Sequence, residues 1–324
     1  MSGRYLLQKL ARAVLTIIVI VLLNFLLFRA MPGSPARIAS HHPGVTQAAI
    51  DQLAARWGLD KPLIPDQLVA YVNATLTGDF GLSYQFRGEP VTEVIGDRFW
   101  PTMILIGLGE LFAIIIGLAL GAYAGWRRGS AVDRVGGGIS LVLYSMPYFV
   151  IGMPLIIVFA AGLGWFPTSG MFDAGATYAS GLDQVIDFAH HLVLPLTTVT
   201  LGLVGAYSIL MRSAIMETRS EDYITTARAK GLTDGRVLRT HAFPNALLPM
   251  VTIIAIDLGY VVAGAITAEV VFNWPGIGTL TVDALQARDY PVLQGIFLLL
   301  SFTVVLANLV ADLVYGFLDP RVRV

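Results

Sequence analysis

YITTARAKGLTDGRVLRTHAFPN, residues Tyr223–Asn245, is a polar, Arg-rich stretch held between two long apolar runs, Leu192–Met211 and Leu247–Ala268. A chain that spans lipid rarely keeps such a segment unless something in the cytosol grips it. Tyr223–Lys230 contains neither Gly nor Pro and can form two helical turns, after which Gly231 suits the left-handed C-cap position. Thr233 or Asp234 can cap a second helix, which is expected to end near Pro244, because proline disfavours helical geometry in the residue before it. Short helix, glycine, helix makes a rigid elbow, and a rigid elbow transmits force. The competing reading is a solvated connector that only satisfies the positive-inside bias.

The rest of the chain places this elbow in a membrane protein. Of 324 residues, 56% are hydrophobic and 13% are charged, about half the charged share of an average soluble protein. Six apolar runs approach or exceed the roughly 20 residues that cross a bilayer: Leu10–Met31, Thr102–Trp126, Val135–Phe166, Leu192–Met211, Leu247–Ala268 and Val292–Ala311. In hydrocarbon each backbone N–H and C=O must be satisfied within its own segment, so the runs read as helices. The first reads as a retained helix, because Met31-Pro32-Gly33 is a turn and not a small-residue cleavage site. With both ends placed in the cytosol, 14 of the 21 Lys and Arg fall inside and 7 outside. The short loops agree: Trp126–Arg134 has three Arg, whereas Gly164–His191 has none.

A long outer loop, Pro32–Arg98, carries helical signals of its own. Thr46 is an N-cap candidate for an amphipathic face of Ile50, Leu53, Ala54 and Trp57 that Gly58 ends. A second helix runs from Pro65 to Leu76 and stops at Gly78. The loop reads either as a packed cap over the helix ends or as a docking surface for a soluble partner. Gly117, Gly121 and Gly125 bare one face of the second span, so another helix can approach it closely. Pro147 and Pro154 are expected to kink the third run. Gly164–His191 reads as a second outer loop, and Phe272–Gly278 as a short re-entrant or interfacial element whose Trp274 favours the headgroup zone.

Several chemistries are excluded or weakened. There is no cysteine, hence no disulfide, thiolate catalysis or Cys-based metal centre. Net charge is −1, which gives no basic field for nucleic acid. No G-x-x-x-x-G-K-[ST] phosphate loop occurs, and none of the three lysines, Lys9, Lys61 and Lys230, precedes Ser or Thr. Energy must therefore come from a partner or an ion gradient. No hydrolase signature stands out and the chain reads as non-enzymatic. The pairs His41-His42 and His190-His191 lack metal-ligand spacing. Glu110 and Asp257 lie inside apolar runs and are pathway candidates by default. Glu110 reads as hydrogen-bonded within the bundle. Asp257 reads equally as lining the pathway, where it could attract a substrate's amino terminus. Asn24 and Asn308 are expected to bond between helices, and Asp312 to pair with Arg321 or Arg323.

The motifs of the chain, taken in order, resemble the dipeptide/oligopeptide permease family of ABC importers. Thr225-Thr226-Ala227, three residues, Gly231, nine residues, then His241-Ala242-Phe243-Pro244 resembles the coupling loop E-A-A…G…I-x-L-P. Met31–Pro35 resembles the family's "PGDP", with Ser34 in place of Asp; Gly78–Tyr84 its "GDxGxSY"; Pro90-Val91 and Pro101-Thr102 its "PV…PT". Asp222–Leu232 is similar to "DYxxTARAKGL", Glu269–Gly276 to "ExVFxxPG", and Asp319-Pro320-Arg321 to the terminal "DPR". The resemblance implies an all-α polytopic protein of about six transmembrane helices with the ABC type I importer permease fold, in the bacterial inner membrane with both termini cytoplasmic. It divides the chain into residues 1–31 (start and first span), 32–98 (outer loop region), 99–318 (permease core, with the coupling loop at 216–246) and 319–324 (tail). It implies a half-channel that pairs with a second, homologous permease. Two ATP-binding subunits, or one fused ATPase, carry ATP and Mg, and an extracytoplasmic binding protein delivers a peptide-like substrate. Tyr223, Thr225, Thr226, Ala227, Arg228, Lys230, Gly231, His241, Phe243 and Pro244 are then the ATPase-coupling residues, with no cofactor or metal on this chain. Other cargo, such as nickel chelates, glutathione or oligosaccharide, stays open. An ion-coupled carrier using the buried carboxylates is the alternative of another class, and a receptor without transport is a third.

Overall fold

A computed structural model describes residues 3–30, 62–86, 88–261 and 266–318. The amphipathic Ile50–Trp57 stretch, the Met31–Pro35 motif, His41-His42 and the Asp319–Arg321 terminus lie outside them. Apart from one isolated bridge between Leu82 and Pro90, the described residues are helix, turn and loop. Helix α1 spans Gly3–Ala30. A single π-helical turn, Leu63–Gln67, leads into α2, Leu68–Thr77, which Gly78 ends in the left-handed conformation at φ 72°, as the spacing predicts. Helix α3 is Val91–Trp126, α4 Ala131–Ser145, and α5 Tyr148–Leu155, extended by a π-helical segment Ile156–Gly162. Helix α6 is Gly181–Arg219, α7 Asp222–Ala229 and α8 Asp234–Val237. A π-helical turn, Leu238–Ala242, joins α8 to α9, Phe243–Tyr260. Then follow α10 Ile266–Val271, α11 Ile277–Gln286 and α12 Tyr290–Leu318.

Five of the described helical segments are long and apolar enough to cross a membrane. A sixth span exists if α4 and α5 count together, yet they meet at 103°. The third apolar run is therefore a broken pair and not one kinked helix. Pro147 sits at the break as the N-cap of α5 with φ −60° and ψ 149°, and a proline N-terminal to α5 cannot donate back into α4. Pro154 lies inside α5, just ahead of the π-helical segment. Two further boundaries move. The expected outer loop Gly164–His191 ends at Ser180, whose hydroxyl caps α6 by accepting from Asp183 N at 3.3 Å. Of the fifth run, α9 reaches Tyr260 and Ala268 lies in α10, with residues 262–265 between them outside the described residues. The boundary drawn at 98/99 falls inside α3.

The body is organised by α6, which lies against α3 on one side and α4 on the other. A Cβ at Gly109 would stand 2.5 Å from Val199 Cγ1, and one at Gly117 2.6 Å from Tyr207 Cβ. At Gly125 it would stand 2.7 Å from the Arg212 carbonyl, and at Gly121 it would run into the Ser208 carbonyl. The glycine ladder thus lets two backbones touch, as small residues do in membranes, where lipid-facing apolar surface supplies no drive for association. On the opposite face, Gly205 meets the backbone of Ser140 and Tyr144, and Ser140 Oγ donates to Ser208 Oγ at 3.0 Å. A bidentate pair ties α6 to the first turn of α4: Arg212 Nε and Nη2 reach Asp133 Oδ1 and Oδ2 at 2.5 and 3.1 Å.

Replacing Gly121 with Leu is expected to lower the thermal midpoint of the detergent-solubilised protein, at a cost of about 1–3 kcal/mol or more for forced overpacking. Gly137→Ala, on a face of α4 where an added Cβ meets nothing within 4 Å, is expected to stay within about 0.5 kcal/mol of the parent.

Candidate functional site

The elbow forms largely as its spacing predicts. Helix α7 ends at Ala229, Lys230 caps it, and Gly231 takes φ +82°. Leu232 N then returns to the Ala227 carbonyl at 3.4 Å and Gly231 N to that of Arg228 at 2.9 Å, which closes the helix end. Thr233 occupies the N-cap of α8 without a side-chain capping bond. Asp234 instead pairs with Arg228 Nε at 3.0 Å and so ties α8 back to α7.

The helix does not end near Pro244. The chain continues through it, from α8 by the π-helical turn into α9, with proline in the first turn of α9. The widened turn accommodates a residue that has no N–H to give and whose ring would crowd a carbonyl four residues back. Asn245 Nδ2 donates to the His241 carbonyl at 2.6 Å and satisfies a carbonyl beside the proline.

The ten coupling residues divide by exposure. Tyr223, Thr225, Thr226, Arg228, Lys230, Gly231 and Pro244 are exposed, and His241 and Phe243 are half-buried. Ala227 is buried, in one cluster with Ile224, Val237, Ala242 and the α3 terminus at Trp126. Trp126 is a clamp that the sequence reading missed. The Arg228 guanidinium lies 5.0 Å and that of Arg219 5.9 Å from its ring centre. Arg219 Nη1 also donates to the Trp126 carbonyl at 3.0 Å. The elbow is thereby fixed to the ends of both α3 and α6.

The buried carboxylates meet through a residue with no local signal of its own. Tyr207 of α6 donates its hydroxyl to Glu110 Oε1 of α3 and lies 2.8 Å from Asp257 Oδ2 of α9. One phenolic hydrogen serves one acceptor at a time, so the two carboxyls are alternative acceptors of the same hydroxyl. Glu110 is 3% exposed and Asp257 half-buried. Glu110 is thus hydrogen-bonded in the bundle, and Asp257 shares its partner.

At the far end of α3, Glu269 is fully buried and accepts from Thr102 Oγ1 at 2.8 Å and Thr279 N at 3.1 Å. Trp274 is fully buried too and donates to the Pro101 carbonyl at 2.9 Å, so its ring packs within the protein. Asp289, also unflagged by the sequence, accepts from Ser83 Oγ at 2.5 Å and from Tyr84 N and Gln85 N at 2.9 and 3.0 Å. It pins the Gly78–Tyr84 motif to the start of α12. Asn24 donates to the Gln294 carbonyl at 3.3 Å, whereas Asn308 is exposed. Asp312 pairs with Lys9 at 2.7 Å; Arg321 and Arg323 lie outside the described residues. His191, discounted as a ligand, is buried within reach of Asp187 and Asp173, their ligand atoms lying within 4.8 Å of one another. Asp187 also accepts from Tyr178, whose phenol that bond pushes up to about 12, and from Asp173 N at 2.9 Å. These contacts hold the loop before α6 onto its first turns.

The described residues form an all-helical body with apolar spans and a polar elbow at one end, the build of a polytopic membrane protein. Residues 117–324 match the model of the binding-protein-dependent transport system inner membrane component, and residues 2–106 the N-terminal component of the same system. The chain belongs to that family: it is a non-catalytic permease subunit of an ABC importer in the inner membrane, of the kind that works with a separate ATPase and a binding protein. It is 38% identical to the dipeptide transport system permease protein DppB of Escherichia coli K12, covering 99% of this chain and 98% of that one. The probable peptide ABC transporter permease protein y4tP of Sinorhizobium fredii is 37% identical, with 99% of each chain covered. The glutathione transport system permease protein GsiC of Salmonella typhi is 36% identical, with 98% of each covered. Among solved structures, inward-facing MetNI methionine ABC transporter is similar in fold, with a TM-score of 0.56 at 19% identity, over 71% of this chain and 99% of that one.

Tyr207→Phe removes the hydroxyl between two carboxyls. It is expected to destabilise the protein by about 1–3 kcal/mol, the cost of stranding a buried polar group, read as a lowered melting midpoint. Adding Glu110→Gln is expected to recover part of that loss. Equal melting of Tyr207→Phe and parent would remove the hydroxyl from its bridging role.

Proposed function

We propose that this permease forms half of the translocation pathway of an ATP-driven importer for dipeptides or oligopeptides. A second, homologous permease supplies the other half, and two ATP-binding subunits, or one fused ATPase, each grip one elbow. The observation that carries this reading is mechanical. The elbow α7–Gly231–α8 is clamped on Trp126 at the end of α3, and it runs without a break through Leu238–Ala242 into α9, the helix that bears Asp257. Displacement of the exposed face formed by Tyr223, Thr225, Thr226, Lys230 and Gly231 is therefore delivered to α9 within the membrane. Arg228, held by Asp234 and Trp126, and buried Ala227 serve by keeping the elbow rigid. His241, Phe243 and Pro244 set its junction with α9. In this reading both termini face the cytosol, in line with the Lys and Arg distribution.

The peptide cargo is favoured by the relatives named for peptide and dipeptide transport; the glutathione permease among them keeps a peptide-like thiol as the second cargo. Asp257, half-buried on α9, offers a carboxylate for the amino terminus of such a substrate, with Glu110 behind it through Tyr207.

Gly231→Val places a β-branched residue at φ +82°, where L-residues are strained by roughly 1–2 kcal/mol. It is expected to abolish ATPase-coupled uptake while the protein still inserts; normal transport in that variant would count against the elbow. Asp257→Asn is expected to reduce peptide uptake at least tenfold, a factor that corresponds to about 1.4 kcal/mol, and unchanged uptake would remove Asp257 from the pathway. Co-purification with an ATP-binding subunit tests the whole reading. Transport by the purified chain alone, in vesicles with no ATPase, would overturn it in favour of an ion-coupled carrier.

A further inference from the structure

Three ionisable side chains apart from the elbow converge where the loop before α6 meets that helix. Asp187 and His191 stand four positions apart on one face of the early turns of α6, and Asp173 comes to them from the loop. His191 Nδ1 lies 3.0 Å from both the Asp187 carbonyl and Asp187 Oδ1. Two acceptors at Nδ1 place the ring hydrogen there and leave the lone pair on Nε2. Nε2 is turned toward Asp173 Oδ1 at 3.7 Å and makes no hydrogen bond among the described residues. The His191 side chain is 3% exposed and that of Asp173 74%, so a buried nitrogen lone pair faces a carboxylate at the protein surface. The Asp187 carboxylate is committed, by Oδ1 to His191 and by Oδ2 to the Tyr178 hydroxyl and Asp173 N. No Lys or Arg occurs from Gly164 to His191, and among the described residues no cationic side chain but His191 pairs with either carboxylate.

We propose that Asp173 and His191 are the ligands of a divalent cation of the zinc class, with Asp187 holding the imidazole in place. The gap of 3.7 Å is too long for an N–H···O bond, which closes at about 2.7–3.2 Å, and two lone pairs left facing each other across it repel. A cation about 2.1 Å from the nitrogen and about 2.2 Å from the oxygen spans the same gap at an angle of about 120°. A histidine that ligates a metal through one nitrogen gives its other N–H to a carboxylate or a backbone carbonyl, which fixes the tautomer, and His191 Nδ1 faces both. An imidazole donor suits zinc, whereas calcium and magnesium take oxygen ligands. The positive charge also offsets two carboxylates that have no Lys or Arg beside them. Bound there, the cation fastens the loop to α6. The same loop reaches the end of α10 through Gly170 N, which donates to the Phe272 carbonyl at 2.8 Å, and Phe188 of α6 packs on Trp274 with ring centres 5.8 Å apart. The metal thereby stiffens the cover over the α10–α11 turn. The site depends neither on the cargo nor on the elbow.

The test is calorimetric titration of zinc chloride into the detergent-solubilised full-length chain, with the thermal midpoint read in parallel. The parent is expected to bind zinc and to melt higher with zinc than with EDTA. Loss of the carboxylate behind a ligating histidine costs about 10–100-fold in metal affinity, so Asp187→Asn is expected to fall in that range. Asp173→Asn removes a ligand outright and is expected to weaken zinc by at least about tenfold; its side chain is exposed, so the variant is expected to fold as the parent does. His190→Gln, whose ring nitrogen bonds the Trp165 carbonyl instead, is expected to leave zinc affinity unchanged, as is the double change His41→Gln with His42→Gln. Excess calcium or magnesium is expected not to displace zinc. Zinc affinity that survives Asp173→Asn, or that is lost with His41 and His42 instead, would overturn the site, as would displacement by calcium. A parent with neither heat of binding nor a midpoint response to zinc would leave the cluster a plain ion pair and overturn it as well.

Discussion

Contact between the backbones of α3 and α6 is the constraint on which the rest of the structure depends. In lipid, apolar side chains gain nothing by leaving one surface for another, so helices associate by close packing and a few polar bonds. Gly109, Gly117, Gly121 and Gly125 give α3 a bare face, and α6 lies directly on it. With that seam made, Tyr207 is brought beside Glu110, and Arg212 is set where Asp133 can hold α4. The ends of α3 and α6 then present Trp126 and Arg219 together, which is the surface on which the elbow sits. Each polar bond is short-ranged and worth little by itself, and the seam is what places the partners within reach.

Polar groups also pair across the other contacts between elements. Ser140 bonds Ser208, Thr102 bonds Glu269, and Asp289 takes up three donors from the turn after α2. Among the described residues, Asn24 Oδ1 is buried without a hydrogen bond.

Much of the architecture was legible because the signals were local. Apolar run length gave the spans, Gly231 gave the end of α7, Gly78 gave the end of α2, and a four-residue glycine repeat gave the helix seam. What escaped depended on residues distant in sequence or on competition between local rules. Tyr207 is an ordinary tyrosine in an apolar run, and its meaning lies in partners 97 and 50 positions away. Trp126 is only the end of an apolar run in the sequence, and its role lies in two arginines of other helices that stack on it. Trp274 carries an interfacial signal, and its indole N–H finds the Pro101 carbonyl with the ring buried. Pro147 and Pro244 are both breakers by type. The first does break a helix, because the α4–α5 corner turns there. The second does not, because a π-helical turn gives its ring room.

That turn also fixes an azimuth. A π-helical turn holds one residue more than the α-helical pattern would, and a residue is worth about 100° of rotation about a helix axis. All of α9 downstream is therefore phased by Leu238–Ala242. Shortening the turn by a single residue, with every side chain in α9 unchanged, would swing the Asp257 carboxylate about a quarter-turn off Tyr207 toward a different neighbour. The count of residues between Val237 and Phe243 is thus as much a determinant of the membrane interior as any side chain in it.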